Sequence, residues 1–129
     1  MSSPQQQDTS LHALSLLIWN HLEERDWLGA SSRNLATSIA LESAELLEHY
    51  QWSDKPVGDK QALADELADI FIYAFQFAQE NDIDIAKAIT HKLEKAAQKY
   101  PAKAFKGKRG AARQEAWIDA KRKHQKDGL

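Results

Sequence analysis

Apolar residues recur every three or four positions through most of this chain, and nowhere do they alternate with polar ones over the length of a strand. That spacing matches the 3.6-residue turn of an α-helix and gives each helix one apolar side. The chain must then bury helical stripes against one another, so the expected fold is all-α, an antiparallel bundle of four helices. Leu11, Leu14, Leu17, Ile18 and Leu22 trace the first stripe, on a helix predicted to begin after Thr9 or Ser10 and to run to about Asp26. Leu35, Ile39, Leu46 and Tyr50 trace the second, with Ser32 or Asn34 as its cap and Trp52 at its end. Leu63, Leu67, Ile70, Ala74 and Phe77 form the third, on a helix from about Lys60 to Glu80. Ile85, Ile89, Leu93, Ala96 and Tyr100 form the fourth, from about Ile83 to Lys99, opened by Asn81 or Asp82 and stopped by Pro101. Gly29, and Pro56 with Gly58, mark loops. Beyond a basic loop over 102–110, a last helix is expected from Ala111 to about Lys126.

The third helix is apolar on more than one side. Phe71, Ile72 and Phe75 are expected to point away from its main stripe. In a chain of 129 residues, such a helix predicts burial against a second copy, as a homodimer or homotetramer.

Two short stretches place acids beside apolar stripes. Glu42-Ser-Ala-Glu45 lies on the second helix and Glu66-Leu-Ala-Asp69 on the third. Residues three apart share one side of a helix, so stripe-to-stripe packing brings four carboxylates to one seam. Neither stretch contains a Lys or Arg to neutralise them. Four anions in a partly desolvated seam repel, and a hard divalent cation relieves that repulsion. Carboxylate-only ligation suits Mg²⁺, with Mn²⁺ as a substitute, rather than zinc. A di-iron bundle would use Glu-x-x-His, which is absent from the chain. Mg²⁺ keeps much of its water and commonly meets phosphate, so the expected substrate is phosphorylated. Tyr73 lies one turn past Asp69, and Trp27 and Trp52 flank the second helix; flat rings near such a site suit the stacking of a base, although rings at helical spacing are more often core. Lys92 and Lys95 share a side of the fourth helix and offer charge to a phosphate or to the acids themselves. His49, one turn past Glu45, could orient a ligand, but a half-buried histidine with its hydrogen bonds satisfied is the commoner case.

Composition bounds the rest. The chain is long enough for one domain with a modest core. No apolar run approaches the roughly 20 residues of a membrane span, and no secretory h-region is visible. Cysteine is absent, which removes disulfides, thiol catalysis and thiolate metal sites and fits a cytoplasmic location. The net charge of −2 conceals an asymmetry: 7 Lys and Arg face 16 acids through residue 98, whereas 10 face 3 thereafter. The expected organisation is a disordered 1–9, a domain over 10–108, and a basic tail over 109–129 that solvates the protein or docks on an acidic surface. Nucleic acid is not an expected partner.

In combination, these residues resemble the MazG-like all-α nucleotide pyrophosphohydrolases, and within them the dCTP pyrophosphatase branch. The resemblance spans about residues 10–108. It rests on Glu24-Arg25-Asp26-Trp27, Arg33-Asn34-Leu35, the run from Glu42 to Trp52, the run from Glu66 to Tyr73, and Lys99-Tyr100-Pro101. It implies Mg²⁺-dependent cleavage of a nucleoside triphosphate to monophosphate and pyrophosphate. It also implies Glu42, Glu45, Glu66 and Asp69 as metal ligands, Trp27, Trp52 and Tyr73 around base and sugar, Asn34 at a recurrent position, Lys92 facing phosphate, and a dimeric or tetrameric assembly. The chain departs from the pattern at Leu28 to Ser32, around Ile18 and at Ala96. Those departures leave the four acids intact and open the choice of base, so a dUTP or phosphoribosyl-ATP hydrolase is an alternative. A non-catalytic helical oligomer that binds nucleotide or protein is a further one.

Overall fold

The structure, a computed structural model, describes residues 9–126. The disordered segment expected over 1–9 therefore lies, Thr9 apart, outside the described residues. Six α-helices and no strand occur among the described residues: α1 (Leu11–Glu23), α2 (Ser32–Glu48), α3 (Lys60–Glu80), α4 (Ile85–Lys99), α5 (Ala102–Phe105) and α6 (Gly110–Lys126). The all-α expectation holds. The short α5, expected as loop, is one turn started by Pro101, whose fixed φ suits a helix entrance.

Capping explains where the predicted boundaries moved. Ser10 opens α1 by accepting the Ala13 N–H at 3.2 Å. Ser31, not Ser32 or Asn34, opens α2 by accepting the Asn34 N–H at 3.1 Å. Asp59 opens α3 through the Ala62 N–H at 2.9 Å. Two helices close alike. Asp26 and Asp82 both sit at φ 54, in the left-handed region usually given to glycine. The Trp27 N–H reaches back to the Leu22 carbonyl at 2.9 Å, and the Ile83 N–H to Ala78 at 2.8 Å. These are Schellman closures, which satisfy the orphan carbonyls of a last turn. Hence α1 stops at Glu23 rather than Asp26. Asn81, expected to open the fourth helix, instead closes α3, its side chain donating to the Phe77 carbonyl at 2.8 Å. The second helix was expected to reach Trp52; it ends at Glu48, where the His49 and Tyr50 N–H groups turn to carbonyls three residues back.

The chain divides into two compact units, one ending at Ile85 and the other beginning at Ala86. In the first, α2 and α3 form the most extensive pairing and α1 packs on α3. The pairing is antiparallel. Asn81 donates to the Ser32 hydroxyl at 2.9 Å at one end, and Gly29 donates its N–H to Glu80 at 2.9 Å beside it. Gln79 donates to the Ser15 carbonyl and so ties α3 to α1. The core sits at this end. Leu22, Leu35, Phe75 and Ala78 are its buried apolar side chains, with Gln76 buried among them and donating to the Trp27 carbonyl at 3.5 Å.

That placement corrects one expectation about α3. Phe75, assigned to an outward side, is in the core, because the last turns of α3 are enclosed by both α1 and the start of α2. Phe71 and Ile72, the other two residues expected off the main stripe, are exposed on the single chain, Phe71 by 54%, and Leu67 of the predicted stripe joins them. In the second unit, α5 packs on α6, Tyr100 and Phe105 meet edge to face at 5.8 Å, and Lys121 lies over the Trp117 ring at 4.2 Å.

Candidate metal centre

Since α2 and α3 run antiparallel, the second half of α2 faces the first half of α3, away from the core. Glu42 and Glu45 stand one turn apart on α2, and Glu66 and Asp69 one turn apart on α3. Ligand oxygens of Glu42, Glu45 and Glu66 all lie within 4.8 Å of one another. Asp69 is outside that group, yet near enough for its charge to act on Glu42. Glu42 and Glu66 are half-buried and Glu45 is exposed, so the cluster opens to solvent on the α2 side.

Crowding raises two of these carboxyls above their ordinary range. Hydrogen bonding with Glu45 is the largest influence on Glu42, followed by loss of solvent and by the charges of Glu45, Asp69 and Glu66. Loss of solvent leads for Glu66, then Glu45, while His49 pulls in the opposite direction. Glu42 Oε2 is buried with no hydrogen-bond partner. Among the described residues no Lys or Arg is ion-paired with any of the four acids; His49 Nε2 approaches Glu66 Oε1 at 3.5 Å. Converging carboxylates, an orphaned buried oxygen and no Lys or Arg counter-ion among the described residues make a donor set fitted to a hard, oxygen-seeking cation.

The expected substrate residues lie on several different elements. Trp52 lies in the turn after α2 and is 82% exposed, so it presents a free ring face. Trp27 is exposed at the close of α1, edge-on to His21 at 6.3 Å. Tyr73 is half-buried on α3, one turn beyond Asp69. Asn34 is exposed in the first turn of α2, where its backbone is held by Ser31. Lys92 and Lys95 belong to α4, in the second unit. Lys95 lines a cavity of about 690 Å³ within that unit, together with Lys99, Lys108 and Lys123.

The sequence pattern of the MazG-like family matches residues 37–111, a span that contains the second half of α2 and all of α3 and α4. The chain belongs to the MazG-like family. This MazG-like chain is 33% identical over 93 residues to dCTP pyrophosphatase 1 of Rattus norvegicus, an alignment covering 65% of the chain and 55% of the relative. It is likewise 33% identical over 88 residues to dCTP pyrophosphatase 1 of Homo sapiens, covering 61% and 52%. The chain thus spans about half the length of the curated relatives it matches. Among solved structures it is similar to a pyrophosphatase from Archaeoglobus fulgidus, with a TM-score of 0.63 and 31% identity, covering 75% of this chain and 99% of that one.

Sequence reasoning assigned no role to Gly58 beyond a break. The structure places its backbone N–H on His49 Nδ1 at 3.2 Å, and a Cβ there would come within 2.6 Å of the imidazole. The signal was a glycine nine residues beyond a histidine, which has meaning only once the turn between them has folded back.

Proposed function

We propose that this MazG-like chain is a Mg²⁺-dependent nucleoside triphosphate pyrophosphohydrolase. It adds water across the anhydride between the α- and β-phosphates of a deoxynucleoside triphosphate, dCTP or a modified relative, to give the monophosphate and pyrophosphate. The observation that carries this reading is the convergence of Glu42, Glu45 and Glu66 within 4.8 Å around the unpartnered oxygen of Glu42. With Asp69 these residues would hold the cation, Mn²⁺ replacing Mg²⁺. When bound, the cation supplies Lewis acidity toward phosphate oxygens. One of these four carboxylates would take a proton from the attacking water as its oxygen bonds to the α-phosphorus and the bridging oxygen departs with its electron pair on pyrophosphate.

Trp27, Trp52 and Tyr73 hold the base and sugar in this reading, and Asn34 assists from the start of α2. Lys92 enters through the resemblance, as a phosphate-facing lysine, and Lys95 through its spacing on the same helix, α4. The domain is residues 10–108, with 109–129 a basic tail. The bundle of four helices is doubled or quadrupled in a homo-oligomer, a reading supported by Leu47, Leu67, Phe71 and Ile72, which are too numerous and exposed for a lone chain with so small a core. The location is cytoplasmic; among the described residues no helix is long and apolar enough to cross a membrane. The altered loop at Leu28–Ser32 supports a second reading, the same hydrolysis on dUTP or phosphoribosyl-ATP.

The test is pyrophosphate release from a panel of canonical and modified dNTPs, dUTP and phosphoribosyl-ATP, with Mg²⁺. Turnover of one deoxynucleotide that disappears in Glu42→Gln and Glu66→Gln is the expected result. Unchanged rates in both variants would remove the assignment.

A further inference from the structure

The turn between α2 and α3 is fastened to a single residue. His49 closes α2; its carbonyl accepts the Val57 N–H at 2.8 Å, and its Nδ1 accepts the Gly58 N–H at 3.2 Å. A ring nitrogen that accepts a backbone N–H carries no proton, so the neutral imidazole has its proton on Nε2. Nε2 is the nitrogen that faces Glu66 Oε1, at 3.5 Å. Both side chains are mostly enclosed, at 15% and 23% exposure. The fit on the far side of the ring is close: a Cβ at Gly58 would lie 2.6 Å from His49 Cε1 and 2.7 Å from Nδ1. Gly58 is outside the left-handed region, so it is the imbalance of space and not backbone conformation that favours glycine.

We propose that His49 is a positioning residue of the metal centre: the Gly58 backbone fixes its Nε2–H tautomer, and that N–H orients the Glu66 carboxylate while leaving its other lone pairs for the cation. This rests on the metal-centre reading above. A donor that fixes a ligand's orientation raises metal affinity by removing rotamers the ligand would otherwise sample, typically by about 10- to 100-fold. The arrangement also makes the turn that carries Trp52 part of the centre, since both are held by the same imidazole.

Two amides separate the two ring nitrogens. Asn at 49 keeps an acceptor near the Nδ1 position but has no donor that reaches Glu66. Gln at 49 extends an amide N–H toward Glu66. Mn²⁺ affinity, measured without nucleotide by calorimetry or by the electron paramagnetic resonance of free Mn²⁺, is expected to fall about 10- to 100-fold in His49→Asn and to stay within about 3-fold of the parent in His49→Gln. Gly58→Ala, which displaces the ring, is expected to behave like His49→Asn. Thermal midpoints of the metal-free variants serve as the check on folding. Nitrogen-15 spectra of the metal-free parent at mildly alkaline pH are expected to show the Nε2-protonated tautomer at His49. A predominantly Nδ1-protonated ring, or equal Mn²⁺ affinity in His49→Asn and His49→Gln, would overturn the proposal. Glu66→Gln separates the two levels: if it binds Mn²⁺ like the parent, the metal-centre reading fails and takes this inference with it. If it loses Mn²⁺ while His49→Asn does not, this inference alone fails.

Discussion

Glu42 and Glu45, one helical turn apart on α2, turn their carboxyl groups toward each other, and Glu66 of α3 closes the group from the facing helix. A chain that folds this way accepts a local repulsion. Its consequences are measurable.

The first concerns pH. The folded-state pKa values of Glu42 and Glu66 are raised above the ordinary 4.5, so the folded protein binds these protons more tightly than the unfolded chain. Their contribution to stability is full below about 4.5 and is lost as pH rises through the raised values. The thermal midpoint of the metal-free protein should therefore carry a component that declines with rising pH, and that component should shrink in Glu42→Gln. Added Mg²⁺ needs the deprotonated carboxylates, so its stabilising shift should grow over the same interval. Differential scanning calorimetry across pH, with and without Mg²⁺, checks both.

Removing a ligand should separate stability from activity. Glu42→Gln and Glu66→Gln are expected to lower pyrophosphate release by roughly 100-fold or more, beyond the usual effect of an outer-shell change. Each should leave the metal-free protein as stable as the parent or more so, because the lost charge was repelled by its neighbours. Steady-state kinetics and a denaturant titration provide the two measurements.

The core and the exposed apolar side should respond differently. Phe75→Ala opens a cavity where a large buried side chain stood and is expected to destabilise by about 3–5 kcal/mol. Phe71→Asp touches no such cavity. It is expected to lower the assembly mass seen by light scattering while the isolated chain remains helical.

Trp52 tests the base platform. Its ring is nearly free in the structure. If it stacks on a base, Trp52→Ala forfeits about 1–3 kcal/mol of binding, roughly 5- to 150-fold in affinity. KM for the nucleotide should rise by that order while Mn²⁺ affinity without nucleotide stays unchanged.

Much of α3 was legible before folding. Lys60 and Glu80 bound it both in the periodicity and in the structure, because Asp59 caps one end and Asn81 with Asp82 closes the other, all within a few residues. Boundaries were missed where a choice among neighbouring side chains mattered. Ser31 wins the α2 cap over Ser32 and Asn34, and Asp82 spends its capacity on the left-handed close of α3 rather than on the start of α4.

The four acids were legible as two pairs because spacing along one helix is local geometry, the same in any helix of this length. Helix type follows for the same reason: the 3.6-residue period is written in each segment alone. That Glu42, Glu45 and Glu66 meet while Asp69 stands slightly apart depends on the register of α2 against α3. The burial of Phe75 beside an exposed Phe71, and the hold of Gly58 on His49, likewise arise between segments. Such contacts are chosen by how whole surfaces fit, and no window of sequence contains both halves of the fit.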